Sequence, residues 1–327
     1  MIYKNVARNI LFPFLMNIGI DKLMLKQSNN SFIHIMYHGV VKDNSNYFSP
    51  RHITSSQFEQ HLLYYKKNFD IISVEEAFEN SKNDFQYKRK TISISFDDGF
   101  ENNYTNALPL LEKHKTKATI FVSSSCVNEN EWLWTDFIAA LNYFYKDQEI
   151  EVDNYSFINS FDKKKKISLP DLIKTTPYST RDELIQKIAD KYGMKEKLLS
   201  LPSEVWKLLN RSDLINLSKS PFIDIGSHGH SHFNLANITA REARIELETS
   251  KKLLESTIDK KTNIIAYPDG SYNNKVKDIA EEIGFKYQLA VKYKETSDIN
   301  DKRIMSRYGI SNTTTYESNM LFLAKSF

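Results

Sequence analysis

Short apolar runs along this chain alternate with segments whose apolar residues recur every three to four positions. That is the pattern of βα units around a parallel sheet or barrel. Phe32 to Tyr37 (FIHIMY), Asp70 to Ile72, Thr91 to Phe96 (TISISF) and Ala118 to Val122 read as strands. Ser56-Gln57-Phe58-Glu59 has the spacing of a capping box, opening a helix through Tyr65 with Phe58, Leu62 and Tyr65 on one face. Ser73 is placed to cap a helix carrying Ala77 and Phe78, and another helix is expected over Leu108 to His114. After Cys126 the rhythm is lost for far longer than a βα connection requires. This stretch holds Glu131-Trp132-Leu133-Trp134, the lysines 163 to 166 and a capping-box spacing at Thr180 to Glu183. It reads as an insertion or lid at about 126–213, with the lysines in a solvated loop.

The βα rhythm resumes at Phe222 to Ile225. Thr239 to Glu242 has capping-box spacing before a long helix with Ile245, Leu247, Leu253 and Leu254. The strand Asn263 to Tyr267 meets a turn at Pro268-Asp269-Gly270, and the helix Lys275 to Ile283 stops at Gly284, a residue suited to ending a helix. Tyr287 to Val291 and Arg303 to Ile310 complete the set. Seven or eight such units favour an α/β fold with a closed or distorted (β/α) barrel over an open sheet.

The first 30 residues form a helical segment ahead of the barrel at 31–327. Val6 to Leu25 is apolar, but Arg8, Asn9, Pro13, Asn17, Asp21 and Lys22 interrupt it too often for a membrane-spanning helix. Two readings stay open: a helix docked on the domain, or an interfacial helix lying on a membrane with Lys4, Arg8, Lys22 and Lys26 around its apolar face. The segment lacks a small-residue cleavage site, so the expected location is cytoplasmic, peripheral to the inner membrane under the second reading. The 44 basic residues nearly balance the 41 acidic ones, so no nucleic-acid partner is expected. The single cysteine, Cys126, excludes an internal disulfide and reads as a buried thiol.

Chemistry-bearing residues gather just after the expected strands: His38, Asp97-Asp98, His228 to His232 and Pro268 to Gly270. In a (β/α) barrel that is the functional face. Asp-Asp-Gly alone is ordinary turn composition. His228 and His232 face one way if the turn between them is helical, and with one carboxylate they would make a three-ligand site with an open position, as in catalytic zinc centres. A second carboxylate beside that position could take a proton from water. The bland alternative is a pair of hydrogen-bonded histidines in a Gly/Ser-rich turn, with His230 either structural or facing substrate.

Ser95-Phe96-Asp97-Asp98-Gly99, Ser227-His228-Gly229-His230-Ser231-His232 and Tyr267-Pro268-Asp269-Gly270-Ser271-Tyr272 resemble motifs of the polysaccharide deacetylases, the NodB-homology enzymes of carbohydrate esterase family four. Met36-Tyr37-His38-Gly39-Val40 resembles the start of the subgroup found with exopolysaccharide and surface-glycan synthesis. The resemblance covers about Phe32 to Ser124 and Leu214 to Ile310 and implies a distorted (β/α) barrel. It implies Asp98, His228 and His232 as ligands of a divalent metal, with Zn2+ the expected ion and other divalent transition metals as alternatives. It makes Asp97 the general base and the backbone N–H of Asp269 an oxyanion donor. The implied reaction is removal of N-acetyl groups from amino sugars of a polysaccharide or its lipid-linked precursor. An N-acetylated oligo- or polysaccharide would be the partner.

Two positions depart from the family pattern. Ala266 stands where the family often has the arginine that orients its catalytic aspartate; Arg307 is the candidate replacement, with a plain ion pair as the other reading. No histidine follows His232, where the family commonly has a general acid, so His38 is the candidate proton donor, or else a packed residue at the barrel rim. Trp132, Trp134 and Tyr272 are candidates to stack on sugar faces, whereas Trp206 reads as packing. The alternatives to a deacetylase are a catalytically impaired glycan-binding protein of the same fold, or an amidase or deformylase acting on another N-acyl sugar.

Overall fold

The computed structural model describes residues 10–42, 51–128, 132–310 and 313–327. Lys4, Val6, Arg8, Asn9 and Glu131, singled out above, lie outside the described residues. In chain order the strands are β1 (Phe32–Tyr37), β2 (Gly39–Val41), β3 (His52–Thr54), β4 (Asp70–Ile71), β5 (Thr91–Phe96) and β6 (Ala118–Val122). There follow β7 (Glu149–Val152), β8 (Tyr155–Ile158), β9 (Phe161–Asp162) and β10 (Ile167–Ser168), then β11 (Ile223–Ser227), β12 (Ile264–Ala266), β13 (Tyr287–Leu289), β14 (Ile304–Met305) and β15 (Arg307–Gly309). The main sheet is parallel, in the order β14-β13-β12-β11-β6-β5-β1-β15, with β4 beside the start of β5. Its two edge strands are consecutive in the chain, separated only by Ser306. One segment, expected as a single strand over Arg303 to Ile310, thus pairs with β13 by its first half and with β1 by its second. Chain continuity rather than a ladder brings the ends of the sheet together, giving a distorted barrel.

Strand side chains alternate between two buried faces, as a covered parallel sheet requires. On β5, Ile92, Ile94 and Phe96 pack into the main core with Ile35 and Tyr37 of β1. The intervening Ser93, Ser95 and then Asp97 form a polar row on the other face. His34 and Met36 of β1 are in register with Ser93 and Ser95, and Arg307 of β15 is in register with His34. The barrel interior is therefore a polar column leading up to the strand exits.

Helix Ser55–Asn68 starts two residues earlier than the sequence suggested, because Thr54 and Gln57 form the capping box. The Thr239–Glu242 box forms as expected, whereas Thr180 makes no side-chain cap to helix Arg181–Lys191. The N-terminal segment is two short helices, Phe12–Asn17 and Ile20–Gln27, because Gly19 takes a left-handed conformation between them. They dock on the C-terminal helix Tyr316–Ser326, with Phe12 edge-on to Phe322. Between β6 and β11 the inserted chain makes a four-stranded sheet, β10-β9-β8-β7, and several helices. These enclose a second core including Phe137, Leu141, Phe157, Ile173, Met194 and Trp206. Cys126 is buried in the main core, and burial pushes its thiol up to about 12.

Candidate metal centre and active site

The polar row of β5 carries Asp97 into the barrel mouth, where its N–H donates to the carbonyl of Tyr37 (3.0 Å). Alternation would send Asp98 to the opposite face. Instead Asp98 and Gly99 both adopt positive φ (78° and 82°), and the chain turns so that both carboxylates stay at the site. Left-handed backbone is costly for a residue with a Cβ, and such strain collects at functional sites. His232 (φ 55°) and Asp269 (φ 53°), on the other two strand exits, share it. His228 and His232 therefore do not converge through a helical turn, as their spacing suggested; left-handed Gly229 and His232 bend the loop instead.

That loop is held from below. Buried Glu246 accepts the N–H groups of His230 (3.0 Å) and Ser231 (2.9 Å), and the His230 Nδ1 lies 2.9 Å from the Ser124 hydroxyl. His230 is thereby turned away from its two neighbours.

Asp98, His228 and His232 are buried, and one donor atom from each lies within 4.8 Å of the others. The Nε2 atoms of His228 and His232 lie 3.4 and 3.3 Å from the same oxygen, Oδ1 of Asp98. His228 Nδ1 is 2.8 Å from the Ala266 carbonyl, which can only accept, so Nδ1 carries a proton. A neutral His228 then aims its Nε2 lone pair at a carboxylate oxygen. Only a proton or a cation between them makes that arrangement favourable. Burial works to discharge His228, but the Asp97 and Asp98 carboxylates outweigh it and raise its pKa. A divalent ion would displace that proton. Two imidazoles and one carboxylate, one ring fixed by a backbone carbonyl, fit a zinc-type ion.

Burial opposes charge on Asp98, yet hydrogen bonding to His228 and His232 and the nearby Arg51 hold its pKa well below the usual carboxylate range. Asp97 is also held low: burial is outweighed by the charges of Arg307 and His228. Arg307 reaches up from β15 and grips Asp97 with both prongs, Nη1 to Oδ1 at 2.6 Å and Nη2 to Oδ2 at 2.8 Å. Each Asp97 oxygen keeps a lone pair for a further proton. His38 is half-buried at the exit of β1. Burial and the Arg51 charge lower its pKa, against partial opposition from Asp98 and Asp97.

The Pro268-Asp269-Gly270 turn uses the N–H groups of Gly270 and Ser271 for its own hydrogen bonds, and not that of Asp269. The Asp269 carboxylate is engaged elsewhere, with Lys174 of the insertion (3.2 Å) and with Asn234 of the loop after β11 (3.1 Å). Tyr272 does not face a sugar. It is 3% exposed, stacks on Tyr267 and donates its hydroxyl to Asp298 (2.6 Å). Trp134 is likewise buried, its indole N–H donating to the His232 carbonyl (3.0 Å). Trp132 is half-buried and lines a cavity of about 320 Å3 with Gln186 and His230, while Trp206 packs in the insertion core.

Sequence reasoning missed three residues that the fold brings to the site: Arg51, Asp136 and Lys174. Arg51 Nη1 lies 3.0 Å from Asp98 Oδ2, and its Nη2 is paired with Asp136. Asp136 left a readable trace, a lone acid in the apolar helix Trp134–Phe144. Arg51 and Lys174 left none.

The family model for polysaccharide deacetylase matches residues 85–288, which include Asp97, Asp98, His228, His232 and Asp269 but not His38 or Arg307. Among curated proteins, the chain is 23% identical over 258 residues to a putative polysaccharide deacetylase, YxkH, of Bacillus subtilis; the match spans 79% of this chain and 62% of that protein. It is 29% identical over 195 residues to a poly-beta-1,6-N-acetyl-D-glucosamine N-deacetylase of Staphylococcus aureus, covering 52% of this chain and 67% of that one. Two solved structures share the fold: IcaB from Ammonifex degensii (TM-score 0.57, 15% identity, 91% and 98% of the chains covered) and the Streptococcus pyogenes deacetylase PplD in complex with acetate (0.53, 18%, 90% and 99%).

Proposed function

Because this chain belongs to the polysaccharide deacetylase family, we propose that it hydrolyses N-acetyl groups on the amino sugars of a surface polysaccharide or its lipid-linked precursor. The observation that carries this reading is the pairing of roles at one strand exit. Asp98 turns one oxygen to two imidazoles, while its neighbour Asp97 is left out of that set and clamped by Arg307. The relatives' names support an N-acetylated glucosamine polymer as substrate, and the cavity beside Trp132, Gln186 and His230 offers an aromatic face and polar groups for a neighbouring sugar.

Asp98, His228 and His232 would hold the divalent ion, for which the donor set favours Zn2+. Such an ion, when bound, polarises the amide carbonyl and acidifies water. Asp97, anionic and oriented by Arg307, takes the proton of the attacking water. The Asp269 N–H, outside the bonding of its turn, is offered to the developing oxyanion. His38 returns a proton to the departing amine. Its depressed pKa keeps it neutral at rest, so it must be charged within the cycle, and Asp97, whose charge acts on it, passes on the proton taken from water. The products are acetate and a free amino sugar.

The test is acetate release by the Zn2+-loaded protein from β-1,6-linked N-acetylglucosamine oligomers. Stoichiometric metal binding without acetate release from N-acetylated glycans would move the assignment to a glycan-binding protein; formate release would move it to a deformylase.

We also propose that the N-terminal helices touch a membrane from the cytoplasmic side. Ile10, Leu11, Phe14, Ile18 and Leu23 are 45–64% exposed beside exposed Lys22 and Lys26. Among the described residues no helix is long and apolar enough to cross a membrane. Co-sedimentation with anionic vesicles, lost in Phe14→Glu/Ile18→Glu, is expected, and equal sedimentation of both proteins would overturn the contact. Recovery in the periplasmic or secreted fraction would overturn the location.

A further inference from the structure

The two oxygens of Asp98 have different partners. Oδ1 faces both histidine nitrogens, at 3.4 and 3.3 Å, while Oδ2 accepts from Arg51 Nη1 at 3.0 Å. The guanidinium of Arg51 also packs over the Phe100 ring, 5.6 Å from its centroid. Its other nitrogen is ion-paired with Asp136 Oδ1. Asp136 comes from the insertion, on the helix Trp134–Phe144, and is fully buried among apolar neighbours. Its Oδ2 is buried with no hydrogen-bond partner among the described residues. A half-satisfied buried carboxylate opposes folding, and nothing in the packing of that helix calls for it. What it does is hold one prong of a rigid, planar fork whose other prong holds Asp98.

We propose that Arg51, anchored by Asp136, is a positioning residue that assigns Asp98 Oδ2 to itself and leaves only Oδ1 for the metal. The proposal rests on Asp98, His228 and His232 being the metal ligands. The charges are consistent with it. Asp97, Asp98 and Asp136 carry three negative charges against the two positive ones of Arg307 and Arg51, so one net negative charge of the group is left for the cation. With Arg51 gone, Asp98 can turn both oxygens inward and take up coordination space that a catalytic centre keeps for water. The insertion thereby reaches the Asp98 carboxylate through Arg51, as it reaches the His232 backbone through Trp134.

The test uses Co2+ as a spectroscopic substitute in metal-free full-length protein. Wild type, Arg51→Met, Arg51→Lys, Asp136→Asn and the Arg51→Met/Asp136→Asn double variant are titrated with Co2+ and followed by visible absorption, with thermal melting as the check on folding. Wild type is expected to bind one Co2+ with the intense bands of a low-coordinate ion. Arg51→Met and Asp136→Asn are each expected to bind the ion with bands weakened severalfold, as a chelating carboxylate raises the coordination number. The double variant should show no further change, because Asp136 acts through Arg51. Arg51→Lys, which keeps the charge but cannot fork, should fall with the other variants and carries the test if Arg51→Met does not fold. A residue that only stabilises the fold would lower the melting temperature and leave the spectrum alone. Folded variants with the wild-type spectrum overturn the proposal while the metal site stands; a wild type that binds no Co2+ overturns both.

Discussion

Replacing Arg307 by methionine keeps most of its volume and removes the clamp on Asp97. The Arg307 side chain is fully buried, that of Asp97 is 4% exposed, and the two share a bidentate pair at 2.6 and 2.8 Å. Removing one partner of such a pair strands a charge and costs about 3–5 kcal/mol. An unfolding entropy of about 2.1 cal/mol/K per residue over 327 residues is about 0.7 kcal/mol/K, so the metal-free variant should melt about 4–7 °C below wild type at pH 7.5. The pH dependence carries a sign. In wild type the Asp97 pKa is lowered, because Arg307 and His228 outweigh burial. The stability this supplies is present above the ordinary carboxylate value and is lost as pH falls through the lowered one. In the variant burial dominates, the Asp97 pKa rises, and protonation relieves the cost as pH falls. The melting deficit should therefore shrink between pH 7.5 and pH 5, and Asp97→Asn/Arg307→Met should be more stable than Arg307→Met alone. Differential scanning fluorimetry of chelator-treated proteins measures all of this. A variant that melts with wild type at pH 7.5, or whose deficit is the same at pH 5, would refute the reasoning.

Asp98→Ala, His228→Ala and His232→Ala should each abolish stoichiometric metal by elemental analysis, and full occupancy in all three would sink the ligand set. Asp97→Asn should keep its metal and lose about 10²–10⁴-fold in turnover, the usual weight of a general base, with wild-type acetate release as the contrary result. His38→Ala should lower turnover far more than metal affinity and change the pH–rate profile; an unaltered rate and profile would remove it as the acid. Tyr272→Phe should leave KM for the glycan unchanged and lower stability by about 1.5–3 kcal/mol, the weight of one hydrogen bond to a charged acceptor, while Asp298 keeps Lys277 and the N–H groups of Lys294 and Glu295. A raised KM with unchanged melting would restore a substrate role.

Periodicity was a good guide where one face of a strand packs in the apolar core and the other lines the polar interior, as in Thr91 to Phe96, because apolar and small polar residues then alternate. It was less good at boundaries. Thr54 and Ser56 both have a Gln or Glu three residues on, and what selects Thr54 is that it ends β3, paired to β2. Motifs marked which strand exits matter, but exposure is set by the whole fold, so Tyr272 looked like a sugar platform and is a core residue. The partners of the two aspartates were harder to read. Arg307 stood out as an arginine on a late strand, yet its meeting with Asp97 spans 210 positions. Arg51 sits in a connection with no pattern of its own, and only the tertiary fold brings it between Asp98 and Asp136.

The segment that closes the barrel on either side of Ser306 also carries Arg307. During synthesis Asp97, Asp98 and both histidines leave the ribosome long before it does. Until β15 pairs with β1, Asp97 lacks its countercharge, and a buried carboxylate without one takes up a proton rather than accepting one from water. A chain still being made, or one truncated before its last strand, would thus carry the three residues proposed to hold the ion and yet lack the proposed base. Completion of the fold and onset of the proposed hydrolysis would then be the same event, timed by β15.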